Sequence, residues 1–369
     1  MTQLTLNLAI VGPGLVGSEF ISQIKAFQHS PRLPNTRLNV SAISNSSRMM
    51  TISEGSLDLE SWKSNLQNSS LKTDLDSLSD HMASLPNGIM VDCTSSDAVA
   101  SQYPEWIQKK LFIITPNKKA FSQSLDFWHN LFKLAQEKGV GVFHESTVGY
   151  VDYLLNASAG LPVISTLKDL VDSGDEIIKV EGIFSGTLSY LFNNFSCPDS
   201  EKKVLFSDVV TTAKDLGYTE PDPRDDLNGM DVARKVVILG RVMGLSLDLS
   251  TLSVENIVPK QLQSVPSSEE FMTRLPEFNA HFESLNASAL ASKSVLRYVG
   301  VVDTRGESSV QLKTYPQSHP FASLKGSDNI IAFTTKRFPS PLIIQGAGAG
   351  AAVTAFGMFS DLIKVARMV

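Results

Sequence analysis

The sequence predicts a two-domain α/β protein: an open, doubly wound parallel sheet of Rossmann-type topology, then a second α+β domain. Three observations carry that expectation. Short apolar runs alternate with amphipathic stretches through residue 145, a pattern that places helices over both faces of a parallel sheet. A glycine-rich turn joins the first apolar run to the first amphipathic stretch. From Gly160 onward the texture changes, and strands without intervening helices appear.

The elements follow in order. Leu6–Val11 reads as the first strand, and Phe20, Ile24 and Phe27 recur behind it at helical spacing. Residues 38–43 supply a second strand. A serine-rich stretch from Ser44 to about Ser84 reads as irregular, with short helices. Residues 89–91, 111–114 and 140–143 give three more strands, and Leu125, Trp128, Phe132 and Ala135 mark a helix before the last. In the second half, strands are expected near 295–302 and 310–313, and the tail from Ile343 starts strand-like and ends as a helix. The expected division is 1–150 for dinucleotide binding and 151–340 for substrate binding and dimerisation. Residues 341–369 are expected to pack back on the first domain.

Composition narrows the function. At about 100–200 residues per domain, 369 residues suggest two domains with full cores. The 32 basic residues do not outnumber the 38 acidic ones, so the surplus cation that a non-specific nucleic-acid binder needs is missing. Cys93 and Cys197 are too few for a disulfide framework or a structural zinc site, which points to a reduced, cytoplasmic setting. The start lacks a basic targeting region. The uncharged stretch 341–359 is too rich in small and polar residues to span a membrane.

Seven segments carry chemistry. Gly12-Pro13-Gly14-Leu15-Val16-Gly17 is a G-x-G-x-x-G between strand and helix. Its glycines permit a tight turn, backbone approach to a pyrophosphate and helix–strand packing, with helix-start amides facing the anion. The second strand ends in Ser44-Asn45-Ser46-Ser47-Arg48, with no acid for a ribose 2′-hydroxyl. Arg48 could instead pair with a 2′-phosphate, so NADP is favoured while NAD stays open. Thr94 and Ser95 follow another strand and offer hydroxyls and amides to the ribose or nicotinamide. Pro116 keeps Thr115 extended, so Lys118 should project from the carboxyl edge of the sheet. Gly186 and Thr187 open an apolar helix whose amides could hold a carboxylate. Residues 345–354, including Gly350 and Thr354, present a nearly bare surface to a flat ligand.

The most specific stretch runs from Gly217 to Lys235. Read as a calcium loop with Gly229 at its sixth position, it puts Arg224 and Lys235 where carboxylates are required, and that reading fails. Asp231 and Lys235 lie four apart on one helix face. Carboxylates crowding a helix start, with one lysine turned back among them, suit an amine-bearing substrate.

Ala9 to Gly17, Thr115 to Phe121, Glu181 to Tyr190, Gly217 to Lys235 and Gln345 to Thr354 together closely resemble homoserine dehydrogenases of the short, fungal type, along nearly the whole chain. The resemblance implies no aspartokinase portion and no C-terminal regulatory domain. It implies reversible, NAD(P)-dependent interconversion of L-homoserine and L-aspartate 4-semialdehyde, on the route to threonine and methionine. Lys235 would be the acid/base lysine and Lys118 a second active-site lysine. Glu220 and Asp231 would hold the substrate, with Thr187, Gly186 and Asp226 nearby, and Gly350, Thr354 and Thr94 would close around the nicotinamide. The family is dimeric through its second domain. Another NAD(P)-linked oxidoreductase of an amino-acid-derived aldehyde or alcohol, and a non-catalytic dinucleotide sensor, stand as the alternatives.

The family's unbroken His-Glu-x-Thr-Val-Gly-Ala-Gly-Leu-Pro is interrupted here. His144 to Gly149 is separated from Ala159 to Pro162 by the nine residues 150–158. By position, the monovalent cation that the family binds, usually sodium, would take carbonyls of Glu145, Val148, Ala159 and Leu161. The insertion reads as translated intron sequence or, if genuine, as an outward loop.

Overall fold

Alternation of β-branched and aliphatic residues with helical stretches builds the first sheet, as the computed structural model shows. It describes residues 3–28, 35–148, 161–197, 204–347 and 350–369. The strands are β1 (Leu4–Val11), β2 (Thr36–Ser44), β3 (Met49–Thr51), β4 (Gly88–Asp92), β5 (Phe112–Ile114) and β6 (Val142–Phe143). Their order is β3-β2-β1-β4-β5-β6, parallel throughout except for the β2–β3 hairpin. Leu6, Leu8, Ile10, Val40, Ile89, Val91 and Ile113 are all buried, as expected of a sheet covered on both faces. The chain leaves β1 for β2 on one side and crosses to β4 on the other. That reversal opens a crevice at the carboxyl ends of β1 and β4, where such sheets bind ligands.

The serine-rich stretch holds two short helices, Trp62–Asn68 and Leu75–Ala83, as expected, and the edge strand β3, which was not. Three residues are too few to show a period of two, and tertiary pairing with β2 decides their state.

The second sheet comprises β7 (Ile177–Ile183), β8 (Ser253–Val254), β9 (Ser294–Asp303), β10 (Ser309–Pro316), β11 (Asp328–Thr335) and β12 (Leu342–Ala347), in the order β12-β11-β7-β9-β10-β8. Its pairings are antiparallel apart from β8–β10. Only β9, β10 and β12 are visible in the sequence as separate strands. Lys179 and Glu181 interrupt the apolar run of β7 and pair with each other at 2.7 Å on one face of it. Strand β9 is buried on both faces. Val299 and Val301 join Ile183, Tyr315, Phe321, Leu324, Ile330 and Ala332 in one cluster. On the opposite face a Cβ at Gly300 would lie 2.5 Å from Val236 and 3.0 Å from Phe184, so the glycine lets the helix Met230–Val242 settle onto the strand.

Two compact units result, Met1–Thr147 with Ala351–Val369, and Val148–Gly350. The segment expected to return to the first domain as one piece from residue 341 is therefore divided. β12 pairs with β11 in the second unit, and only the helix Ala351–Met368 belongs to the first. The reason is hydrogen bonding: β12 completes its backbone pairs on β11, which a separate tail would leave open. Residues 150–158 and Ala159 lie outside the described residues. Among the described residues no helix is long and apolar enough to cross a membrane.

Candidate active site

In the first unit, the glycine turn does what its spacing implies. Gly12 has φ +76°, and a Cβ there would meet Thr94 Cγ2 at 2.4 Å. Gly17 packs against the Gly12 carbonyl and Cys93, while a Cβ on Gly14 would meet nothing within 4 Å. The first and third glycines thus serve packing, and the second faces open space. Leu15 and Val16 begin the helix Leu15–Phe27, whose start carries no side-chain cap and no acidic residue in its first turn. Uncapped helix-start amides beside a bare glycine suit a pyrophosphate, and the residues present fit a dinucleotide.

Arg48 sits in the hairpin after β2, beside the turn, since the Gly12 N–H donates to Ser44 O at 2.8 Å. Asn45 Oδ1 accepts from the N–H of Ser47 and of Arg48, both at 2.8 Å, which shapes the hairpin. The Arg48 guanidinium is exposed and donates to the Ser69 carbonyl. Thr94 is half-buried against Gly12 and Ser95 is exposed on the same loop. Lys118 is half-buried at the carboxyl end of β5, where it precedes the short helix Lys119–Ser122. Thr354 is wholly buried on the C-terminal helix, and its carbonyl accepts from Ser146 Oγ at 2.8 Å.

The second unit assembles the acidic cluster. Gly229, at φ +76°, caps the helix Met230–Val242, and a Cβ there would lie 2.0 Å from Tyr298 Oη. Only glycine lets the turn press on that tyrosine. The helix points Asp231 and Lys235 to one side, with Lys235 Nζ 2.8 Å from Asp231 Oδ2. Lys235 is 0% exposed and also donates to Phe184 O at 2.7 Å. A wholly buried ammonium is costly unless paired, and here a carboxylate and a carbonyl both face it.

Phe184 leads into the helix Gly186–Phe195, capped by Ser185 Oγ, which accepts from Leu188 N. One helix-start amide expected to be available for a substrate carboxylate is therefore occupied. Thr187 Oγ1 lies 2.6 Å from Tyr218 O and 2.9 Å from Asp226 Oδ1, and Asp226 Oδ2 accepts from Glu220 N at 2.8 Å. Burial pushes the Asp226 carboxyl up to about 7, against those hydrogen bonds and with help from the charges of Glu220 and Asp231. Thr187, Gly186, Glu220, Asp226, Asp231 and Lys235 thus converge within one unit.

Sequence reasoning missed three features here. The Phe184 carbonyl carries no side-chain signal. Tyr190 and Tyr218 stack at 4.5 Å beside Thr187, a pairing 28 residues apart in sequence that only the fold creates. Asp92, a lone acid closing an apolar strand, was the one legible hint of a buried polar network in the first unit.

Of the expected cation ligands, Ala159 lies outside the described residues. The Leu161 carbonyl accepts from Val163 N at 2.8 Å, and the Glu145 carboxylate is 3.1 Å from Lys364 Nζ. Gly350 belongs to the second unit and has φ +123°.

The pattern of the homoserine dehydrogenase family matches residues 162–363, and that of its NAD-binding domain matches residues 12–145. The chain is 46% identical over 370 residues to the homoserine dehydrogenase of Schizosaccharomyces pombe, covering 99% of this chain and 96% of that one. It is equally identical, 46%, to a bifunctional aspartokinase/homoserine dehydrogenase of Arabidopsis thaliana, but spans 39% of that longer protein. A crystal structure of a Candida auris protein, 43% identical, superposes with a TM-score of 0.89 over 98% of both chains. A hyperthermophilic archaeal homoserine dehydrogenase in complex with NADPH, 23% identical, shares the fold at a TM-score of 0.73 over 99% of both chains. With its glycine cradle, its buried lysine and its likeness to fungal relatives end to end, this chain belongs to the homoserine dehydrogenase family of NAD(P)-dependent oxidoreductases.

Proposed function

We propose that the chain interconverts L-homoserine and L-aspartate 4-semialdehyde, with Lys235 moving the proton at the substrate's C4 oxygen. The observation that carries this reading is the wholly buried Lys235 held by Asp231 and Phe184 O. In reduction, the Lys235 ammonium donates to the oxygen as negative charge grows there. In oxidation, the neutral amine takes the hydroxyl proton. The dinucleotide, when bound, supplies or accepts the hydride. Lys118 stabilises charge on the same oxygen. Glu220, Asp226 and Asp231 bind the amino acid's ammonium, with Thr187 and Gly186 completing that pocket. Gly12, Gly14, Leu15, Val16 and Gly17 bind the pyrophosphate, Arg48 the 2′-phosphate of NADP, and Thr94, Ser95, Gly350 and Thr354 the nicotinamide end.

The reading includes a homodimer formed through the second domain and a cytoplasmic setting. It also includes a sodium ion on the carbonyls of Glu145, Val148, Ala159 and Leu161, whose support is the sequence resemblance of those segments. Replacing sodium with a larger monovalent cation should then slow turnover. The central test is homoserine oxidation with NADP and with NAD, followed by absorbance of the reduced cofactor. Because the base must be neutral, the rate should climb on the alkaline side. A flat alkaline limb, or turnover undiminished in Lys235→Ala, would sink the assignment.

A further inference from the structure

Asp92 ends β4 with its carboxylate wholly buried, and among the described residues no cation pairs with it. Three neutral donors answer its charge. The Thr94 N–H donates to Oδ1 at 2.8 Å, the Tyr103 hydroxyl to Oδ2 at 2.6 Å, and the Asn117 side-chain amide to Oδ2 at 3.0 Å. Burial pushes the Asp92 pKa up while these donors push it back, so each contact matters to the charged form.

Each donor belongs to a different part of the dinucleotide side. Thr94 presses its methyl group on Gly12. Asn117 precedes Lys118, and its amide also donates to Ser96 O at 3.0 Å while its Oδ1 accepts from Lys119 N at 3.1 Å. Tyr103 Oη lies 2.9 Å from Thr115 Oγ1, which in turn accepts from Asn117 N at 2.9 Å. The Asn117–Ser96 bond and the Lys119–Asp97 pair at 2.7 Å also join the segments after β4 and β5, on the exposed side of the carboxylate. The carboxylate is their common point.

We propose that Asp92 is a positioning residue: one buried carboxylate sets the register of the Thr94 loop against the glycine turn and of the loop that carries Lys118. The inference rests on the proposed roles of Thr94 and Lys118. A carboxylate is required because it accepts on both oxygens. Asparagine would turn an NH2 group toward the Thr94 amide, or toward the Tyr103 and Asn117 donors, and at least one contact would become donor against donor.

The test compares Asp92→Asn and Tyr103→Phe with wild type, reading NADPH affinity by fluorescence titration without homoserine, then kcat and KM for homoserine oxidation. For Asp92→Asn the NADPH dissociation constant should rise, and kcat fall, each about tenfold, while the homoserine KM stays within roughly twofold. Tyr103→Phe, which removes only a hydroxyl, should shift the same two quantities by a smaller factor. Wild-type NADPH affinity and kcat in both variants would overturn the proposal. So would losses that merely track a fallen folded fraction, which lower kcat and the number of NADPH sites while leaving the NADPH dissociation constant at its wild-type value. Should wild type bind NADPH yet fail to oxidise homoserine, the proposed function fails, and the affinity comparison still decides the role of Asp92.

Discussion

The two lysines proposed for the chemistry are held by opposite means. In the first unit Lys118 remains half-exposed, and what is fixed is the loop beneath it, by hydrogen bonds from neutral groups to one buried carboxylate. In the second unit Lys235 itself is buried, its charge met by Asp231 and by the carbonyl of Phe184. The first arrangement orders the backbone that carries the lysine. The second fixes a proton-carrying group to a short tether in low dielectric, where its charge is sensitive to every neighbour. Damage to the first should therefore be spread between affinity and rate, and damage to the second concentrated in rate.

The sharpest break in that contrast is Lys235→Ala. Loss of a general acid–base group should lower kcat for homoserine oxidation by about 10²–10⁴-fold while leaving NADPH affinity near wild type, as stopped assays and titration would show. A matching loss of NADPH affinity would mean that the two regions are not separable.

Next in size is a pair of glycine substitutions. Gly12→Ala puts a side chain at φ +76° and 2.4 Å from Thr94, so its Tm should fall, the backbone strain alone costing about 1–2 kcal/mol of stability. Gly14→Ala meets no protein atom within 4 Å, so its Tm should hold while NADPH affinity drops about tenfold. Equal melting curves for the two variants would refute the division between a packing glycine and a ligand-facing one.

Thr187→Val keeps the shape and removes the hydroxyl near Tyr218 O and Asp226, and should raise the homoserine KM about tenfold with little change in NADPH affinity. A smaller effect is expected from pH. The fold raises Asp226 from 3.8 to about 7, so its neutral form is the one the folded chain favours. Its stabilising contribution is full below the unfolded value and is lost as pH rises through about 7. Asp226→Asn should therefore raise Tm relative to wild type by about 2–4 °C at pH 8 and by nothing measurable at pH 4. In wild type, the homoserine KM should fall between pH 6 and 8 as this carboxylate becomes charged. Smallest of all is Lys119→Ala, which breaks an exposed pair with Asp97 at 2.7 Å and should change stability by less than about 1 kcal/mol in urea unfolding.

Much of this was readable in the chain, and unevenly so. The turn at Gly12–Gly17 was legible because strand, turn and helix follow one another in sequence. Asp231 and Lys235 were legible because four residues make one helical turn and a bit. Thr187 was legible as part of a helix start and Asp226 as one acid of the Gly217–Lys235 stretch, but their pairing was not, since 39 residues separate them. Strand β7 was missed because charges interrupt it and β8 because it is two residues long, while the short apolar run of β11 has its state decided by its partners β7 and β12.

By itself, then, the amino-acid order determined the parallel sheet, the glycine turn and the facing pair on the acidic helix, all of which follow from local periodicity and short-range stereochemistry. Tertiary structure alone decided that Lys235 loses all contact with solvent, that a backbone carbonyl from residue 184 meets it, and that Asp92 gathers two loops. These depend on which surfaces come together when water is expelled, and no spacing along the chain encodes that.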